Sequence, residues 1–402
     1  MEVDTHSALQ TEDITFDSSS DSIVHSWDEL DMDPSILRGI FAYGFEKPSP
    51  IQQRAIKPVM EGRDVIAQAQ SGTGKTATFT IGALHRVNIA ESATQVLILS
   101  PTRELSSQTS KVVANLGTFM DGLKIQTLFG GAIVEDTCGF ANRHAPHIIC
   151  GCTGRVYDMM RRGNIDSKGI KLVILDEADE MLSAGFKEQV YNIFQFLNSD
   201  VQVCLFSATL PESITPIIDK IMRNPIKICV KREQLTLEGI SQYYMAMNDD
   251  REKYLNLKNV FSFITLSHTI IYCNSIKRVQ DLYDAMCEDG FPVCRIHSNM
   301  EKTERDKAFN DFRNGASRVL ISSNVTARGI DIQQVSVVVN FDLPKDVHTY
   351  LHRIGRSGRW GRKGVGINFV TRRDIGQLRR IEEHYATQIQ ELPSELSFLS
   401  KM

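Results

Sequence analysis

The chain has 402 residues, 42% of them hydrophobic, enough for two or three domains with sizeable cores. No apolar run approaches the roughly 18 residues of a membrane-spanning helix, the acidic N-terminus is unlike a secretory signal peptide, and eight scattered cysteines give no disulfide or zinc pattern, which suits a reducing compartment. The net charge of −4 does not exclude a polyanionic partner, because residues 1–33 hold ten acidic side chains and no Lys or Arg, leaving +6 on the rest.

Residues 1–25 are rich in Ser, Thr and Asp and read as a disordered acidic tail. A folded body begins near Trp27. Apolar runs at 65–68, 95–100, 125–129, 147–151, 171–175, 202–206 and 226–230 read as strands, with helices between them such as 103–117 and 186–197. After the charged segment Lys231-Arg232-Glu233-Gln234 the rhythm restarts, with strands near 241–246, 269–273, 293–297, 318–322, 335–341 and 365–370. This alternation predicts an α/β fold of two tandem domains, each a parallel sheet with helices on both faces. The expected bounds are 26–230 and 241–396, with a linker at 231–240 and a short tail at 397–402.

Ala69-Gln70-Ser71-Gly72-Thr73-Gly74-Lys75-Thr76 lies between a strand and a helix. Ser71, Gly72, Thr73 and Gly74 form a small-residue loop whose backbone N–H groups, with the helix N-terminus, can cradle phosphates. Lys75 reaches the β- and γ-phosphates and Thr76 offers a hydroxyl to Mg²⁺. Ala69 stands where the pattern has its first glycine and permits the turn if its φ is negative. The strand at 171–175 runs into Asp176-Glu177-Ala178-Asp179. Ligands sit at the carboxyl ends of parallel strands, so Asp176 can hold Mg²⁺, partly through water, and Glu177 can orient or deprotonate the attacking water.

With Ser207-Ala208-Thr209 and His352-Arg353-Ile354-Gly355-Arg356-Ser357-Gly358-Arg359, these motifs resemble the DEAD-box RNA helicases over residues 27–390. Within that family the resemblance is strongest to the translation initiation factor 4A branch and its nuclear relatives. It rests there on the stretches 37–48 and 235–240. The resemblance implies two RecA-like domains and an RNA-dependent ATPase. It implies that Gln52 pairs with adenine while Phe45 and Trp360 stack on it, and that Trp27 supports this motif. Asp331 would contact the ribose, and Arg356 and Arg359 would be arginine fingers. Pro101, Thr102, Arg103, Gly130, Gly131, Arg155, Arg305 and Ser323 would line an RNA path. Ser207, Thr209, His352 and Arg353 would couple hydrolysis to domain closure, His352 and Arg353 by tying to the first domain.

The implied partners are single-stranded RNA or a short RNA duplex and a helical-repeat scaffold protein. The chain is expected to be a monomer on its own, off the membrane, and cytoplasmic, with a nuclear site as the alternative. The alternative function is an ATP-locked RNA clamp in messenger-RNA marking or ribosomal-RNA processing. The sequence departs from the family at Cys152 and Thr153 (usually Thr-Pro), Lys302 (usually Gln) and Asn324 (usually Asp). These changes leave the ATP residues intact and predict weaker RNA coupling, Thr153 by loosening its loop.

Overall fold

The computed structural model describes residues 16–18, 23–130, 145–183, 185–230, 239–264, 268–326, 335–357 and 364–393. The chain divides into two compact units, with the boundary between Lys231 and Arg232.

The strands described in the first unit are β1 (Phe16–Ser18), β2 (Val65–Gln68), β3 (Val96–Ser100), β4 (Ile125–Leu128), β5 (Ile148–Cys152), β6 (Leu172–Asp176), β7 (Gln202–Ser207) and β8 (Ile226–Val230). They form one sheet in the order β1-β8-β2-β7-β6-β3-β5-β4. All neighbours from β8 to β4 are parallel. The central strands are near-continuous apolar runs because both faces are covered: every residue of β3, β6 and β7 is buried. The helices are α1 (Pro34–Ala42), α2 (Pro50–Met60), α3 (Lys75–Arg86), α4 (Arg103–Leu116), α5 (Thr153–Arg161), α6 (Ala178–Met181), α7 (Lys187–Phe194) and α8 (Thr215–Ile221).

One expectation about the tail is corrected. Within the segment read as disordered, Phe16–Ser18 pairs antiparallel with Ile228–Val230. An open sheet edge recruits a strand through backbone hydrogen bonds, whatever the composition of the added segment.

The second unit has β9 (Ile240–Ala246), β10 (His268–Tyr272), β11 (Val293–Ile296), β12 (Val319–Ser322), β13 (Val335–Asn340), β14 (Gly364–Val370) and β15 (Gln390–Glu391), in the order β11-β12-β10-β13-β14-β9-β15 and all parallel. Its helices are α9 (Asp250–Ile264), α10 (Ile276–Glu288), α11 (Lys302–Arg313), α12 (Val347–Ile354) and α13 (Ile375–Tyr385). Alternation along β13 splits its side chains between two cores. Val337 and Val339 join Leu257 of α9 and Val279 of α10. Val338 joins Phe312 of α11, Ile354 of α12 and Ile381 of α13. This is the doubly covered sheet of a RecA-like unit. No helix among the described residues is long and apolar enough to cross a membrane.

Candidate functional site

In the first unit β2, β7 and β6 lie side by side and parallel, so the segments after them share one rim of the sheet. Ala69 N donates to Ser207 O at 3.1 Å, which fixes the start of the phosphate loop on the end of β7. Ala69 keeps φ outside the left-handed region, so it serves in place of glycine without strain, whereas Gly72 and Gly74 sit at φ 84° and 101°. A Cβ on Gly74 would also lie 2.7 Å from Gln52 Nε2 and 3.0 Å from Ser49 Oγ. Lys75 is buried, and its ammonium donates to Ala69 O at 2.6 Å and Gln70 O at 2.8 Å. A loop closed on glycine, a helix N-terminus and an ammonium folded into the loop make a donor set suited to a polyphosphate.

Asp176 ends β6 and is buried, as are Glu177 and Asp179. Burial, and next the Glu177 carboxylate, push the Asp176 carboxyl well above the ordinary range, while Lys75 opposes them. A buried carboxyl crowded by neighbouring carboxylates suits a cation site, and Thr76 follows Lys75 in the first turn of α3. Glu177 has φ 53° and ψ 54°, a left-handed conformation that a glutamate adopts only when its surroundings enforce it. Its backbone N–H donates to Asp176 Oδ1 at 3.0 Å. Asp179, to which the sequence reading gave no role of its own, is the hub. Its Oδ1 accepts from Ser207 Oγ at 2.9 Å and its Oδ2 from Thr209 Oγ1 at 2.6 Å. Ser207 thus joins the phosphate loop through its carbonyl and the acidic motif through its hydroxyl.

Gln52 does more than the sequence assigned to it. Its Oε1 caps α2 by accepting from Ser49 N at 2.7 Å, and its Nε2 donates to Gly74 O at 3.4 Å. Ser49 Oγ donates to Thr73 O at 2.8 Å. The helix cap therefore braces the phosphate loop, a role that Ser49 shares and that only the capping spacing of Ser49 and Gln52 could have flagged. Trp27 is buried, and its Nε1 donates to Phe45 O at 3.1 Å. It holds the backbone of Phe45, whose ring lies 4.9 Å from that of Tyr43.

The other half of the sheet carries the expected RNA residues. Thr102 caps α4 by accepting from Leu105 N at 3.3 Å, between buried Pro101 and half-buried Arg103. Gly130 follows β4 and is exposed. Arg155 pairs with Asp158 at 3.4 Å. Thr153 is not in a loosened loop. It is the first residue of α5, fully buried, and its hydroxyl donates to Gln189 Oε1 of α7 at 2.6 Å. That position tolerates proline because its N–H has no helical partner, and threonine uses the same place for a side-chain bond. Cys152 Sγ lies 3.6 Å from Ser106 Oγ. Gly131, Asp331, Arg359 and Trp360 lie outside the described residues, as does most of the linker at 231–240.

In the second unit His352, Arg353 and Arg356 are all buried. Arg356 Nε donates to His352 O at 3.1 Å. Arg353 was expected to reach toward the first domain, but all five of its N–H donors are satisfied inside its own unit. Nε and Nη2 donate to Asn324 Oδ1 at 2.9 and 2.6 Å, and Nη2 also to Asn274 Oδ1 at 2.7 Å. Nη1 donates to Asn340 Oδ1 at 3.1 Å and Asp342 O at 2.8 Å. Burial lowers the guanidinium's pKa to about 10. Arg305 on α11 is buried, and Ser323, just after β12, is half-buried.

Comparison with known proteins agrees with this architecture. Residues 49–217 match the DEAD/DEAH box helicase model and residues 252–361 the helicase conserved C-terminal domain. The chain is 48% identical over 389 residues to the ATP-dependent RNA helicase eIF4A of Saccharomyces cerevisiae, covering 96% of this chain and 98% of that one. It is 49% identical over 382 residues to the protein of the same name from Kluyveromyces lactis, covering 95% and 96%. Among solved structures, S. cerevisiae Dbp5 bound to RNA and ADP BeF3 superposes with a TM-score of 0.88 at 36% identity, covering 94% of this chain and 99% of that one. The chain belongs to the DEAD/DEAH box helicase family, and its Asp176-Glu177-Ala178-Asp179 is the motif that names it.

Proposed function

We propose that the chain is an ATP-dependent RNA helicase that hydrolyses ATP on RNA and locally separates short duplexes, in translation initiation. The observation that carries this reading is the junction at Ser207, bonded to the phosphate loop at Ala69 and to the acidic motif at Asp179. The phosphate loop and Lys75 hold the triphosphate, and Glu177 orients or deprotonates the attacking water. Mg²⁺, held by Thr76 and Asp176, neutralises phosphate charge when bound. Phe45, Gln52 and Trp360 take the adenine and Asp331 the ribose, while Arg356 and Arg359 meet the γ-phosphate when the domains close. Pro101, Thr102, Arg103, Gly130, Gly131, Arg155, Arg305 and Ser323 hold the RNA backbone without reading bases. Contacts to 2′-OH groups select RNA over DNA.

We assign the domains to 26–230 and 241–396, and the place of action to the cytoplasm with a helical-repeat scaffold as partner. The test is ATP hydrolysis with and without RNA, beside strand separation of a short duplex. RNA should stimulate hydrolysis, and Lys75→Ala and Glu177→Gln should each lower the stimulated rate at least about 10²-fold, the scale of losing one electrostatic or acid–base contribution. Full activity in either variant would refute the site, and stimulated hydrolysis with no strand separation would favour the clamp.

A further inference from the structure

Arg353 is a permanent cation with no exposed surface, and none of its five bonds goes to a carboxylate. The nearest candidate, Asp342, contributes only its backbone carbonyl. Its carboxylate is committed to Lys253 at 3.2 Å, Arg278 at 3.1 Å and Asn274 N at 3.1 Å. The guanidinium is therefore solvated by dipoles. Three of these come from segments that follow different strands: Asn274 after β10, Asn324 after β12, Asp342 after β13. The fourth, Asn340, ends β13 and passes the chain on, since its Nδ2 donates to Asn368 Oδ1 of β14 at 2.8 Å. Asn368 Nδ2 in turn lies 3.3 Å from Tyr350 OH of α12.

Asn324 differs from the other amides in one way: its single Oδ1 serves two N–H groups at once. Like Asn274 it is exposed, so the two close the cage from the solvent side. A carboxylate would set one oxygen on each N–H of that fork and add charge assistance. An amide gives the same shape with a weaker grip.

We propose that Asn324 is a positioning residue: it joins the segment carrying Ser323 to Arg353, and so to α12 and Arg356, and its neutral amide keeps that joint loose. The inference rests on the assignment of Ser323 to RNA and Arg356 to the γ-phosphate. RNA binding at the Ser323 segment is then passed only in part to α12, whose C-terminal end leads into Arg356. Strengthening the joint tightens the transmission, and removing it breaks the transmission, without touching groups that bind RNA or ATP.

The experiment compares Asn324→Asp and Asn324→Ala with the unmodified full chain, measuring RNA-free hydrolysis, KM for ATP and the RNA concentration for half-maximal stimulation. Asn324→Asp should lower that RNA concentration three-fold or more. Asn324→Ala should raise it by a similar factor. Both should leave RNA-free hydrolysis and KM for ATP within two-fold. A shift in unfolding temperature with the RNA concentration unchanged would reduce Asn324 to a structural role and overturn the proposal, as would equal coupling in the Asp and Ala variants. If Asn324→Ala does not fold, the near-isosteric Asp variant decides alone. Failure of the underlying site shows elsewhere, as full hydrolysis in Lys75→Ala, so the two failures are distinguishable.

Discussion

The two units bury charges of opposite sign by the same device. In the first, the Asp179 carboxylate is held by two hydroxyls, Ser207 and Thr209. In the second, the Arg353 guanidinium is held by three amides and a carbonyl. In these bonds each hub is paid in neutral dipoles, those of Asp179 from the single segment ending β7 and those of Arg353 from the ends of the neighbouring strands β12, β10 and β13. The difference lies in how replaceable the partners are. A hydroxyl rotates and can find another acceptor. A planar guanidinium with five fixed donors defines the orientation of everything around it.

That difference predicts the largest effect. Arg353→Met removes five donors, leaving the buried Asn340 Oδ1 and Asp342 O without them, and should destabilise the second unit by about 3–5 kcal/mol, the scale of breaking a buried charged network. Asp179→Asn keeps one acceptor oxygen and leaves the other hydroxyl to rotate, so it should cost about 1–3 kcal/mol in the first unit. Urea unfolding, followed by probes in each unit, reads both. Equal losses would break the comparison.

The hubs also mark where reading the sequence stopped. The parallel sheets were legible because strands buried on both faces, such as Val96–Ser100 and Leu172–Asp176, announce themselves by unbroken apolar runs. Two of the four edge strands, Phe16–Ser18 and Gln390–Glu391, were not, since backbone pairing to β8 and β9 holds them and no side-chain pattern does. The helix expected at 186–197 is shorter, because α7 ends at Phe194 and Gln195 only caps it. In the site, the phosphate loop was legible because its chemistry is local. Asp179 is joined to Ser207 across 28 positions and Arg353 to Asn274 across 79, and no spacing rule reaches that far. The same distance explains the misplaced expectation for Arg353, whose partners lie in its own unit.

A third buried ionisable group sharpens the contrast, because it keeps its place by staying neutral. His147, just before β5, accepts from Lys124 N through Nδ1 at 3.0 Å. Burial, then the Lys124 charge, lower its pKa. A depressed folded-state pKa means that its contribution is fully present above the unfolded value near 6.5 and is lost as pH falls below it. Protonation would place a proton where the Lys124 N–H now points. Stability of the first unit should therefore decline below about pH 6.5, by less than about 1.4 kcal/mol per pH unit for a single proton. His147→Gln should flatten that part of the profile, and an unchanged slope would assign the acid sensitivity to other groups.

The smallest effect concerns a neutral bond with no charge at its centre. Thr153→Pro places at the first position of α5 a residue suited to it, with φ preset and no N–H to lose. The substitution restricts the unfolded chain, worth about 0.4–1 kcal/mol in favour of folding. Against this stands the loss of the 2.6 Å bond from Thr153 to Gln189, which contributes about 0.5–1.5 kcal/mol. The two nearly cancel, so overall stability should move by less than about 1 kcal/mol. What changes is the tie between α5, which carries Arg155, and α7. With that tie gone, amide exchange should quicken at the start of α7, near Gln189, and slow at the start of α5. Gln189→Leu, which leaves the Thr153 hydroxyl without its acceptor, should cost more than Thr153→Pro. The reverse order would mean that the threonine contributes nothing beyond the proline, and that the α5–α7 contact rests on its apolar packing.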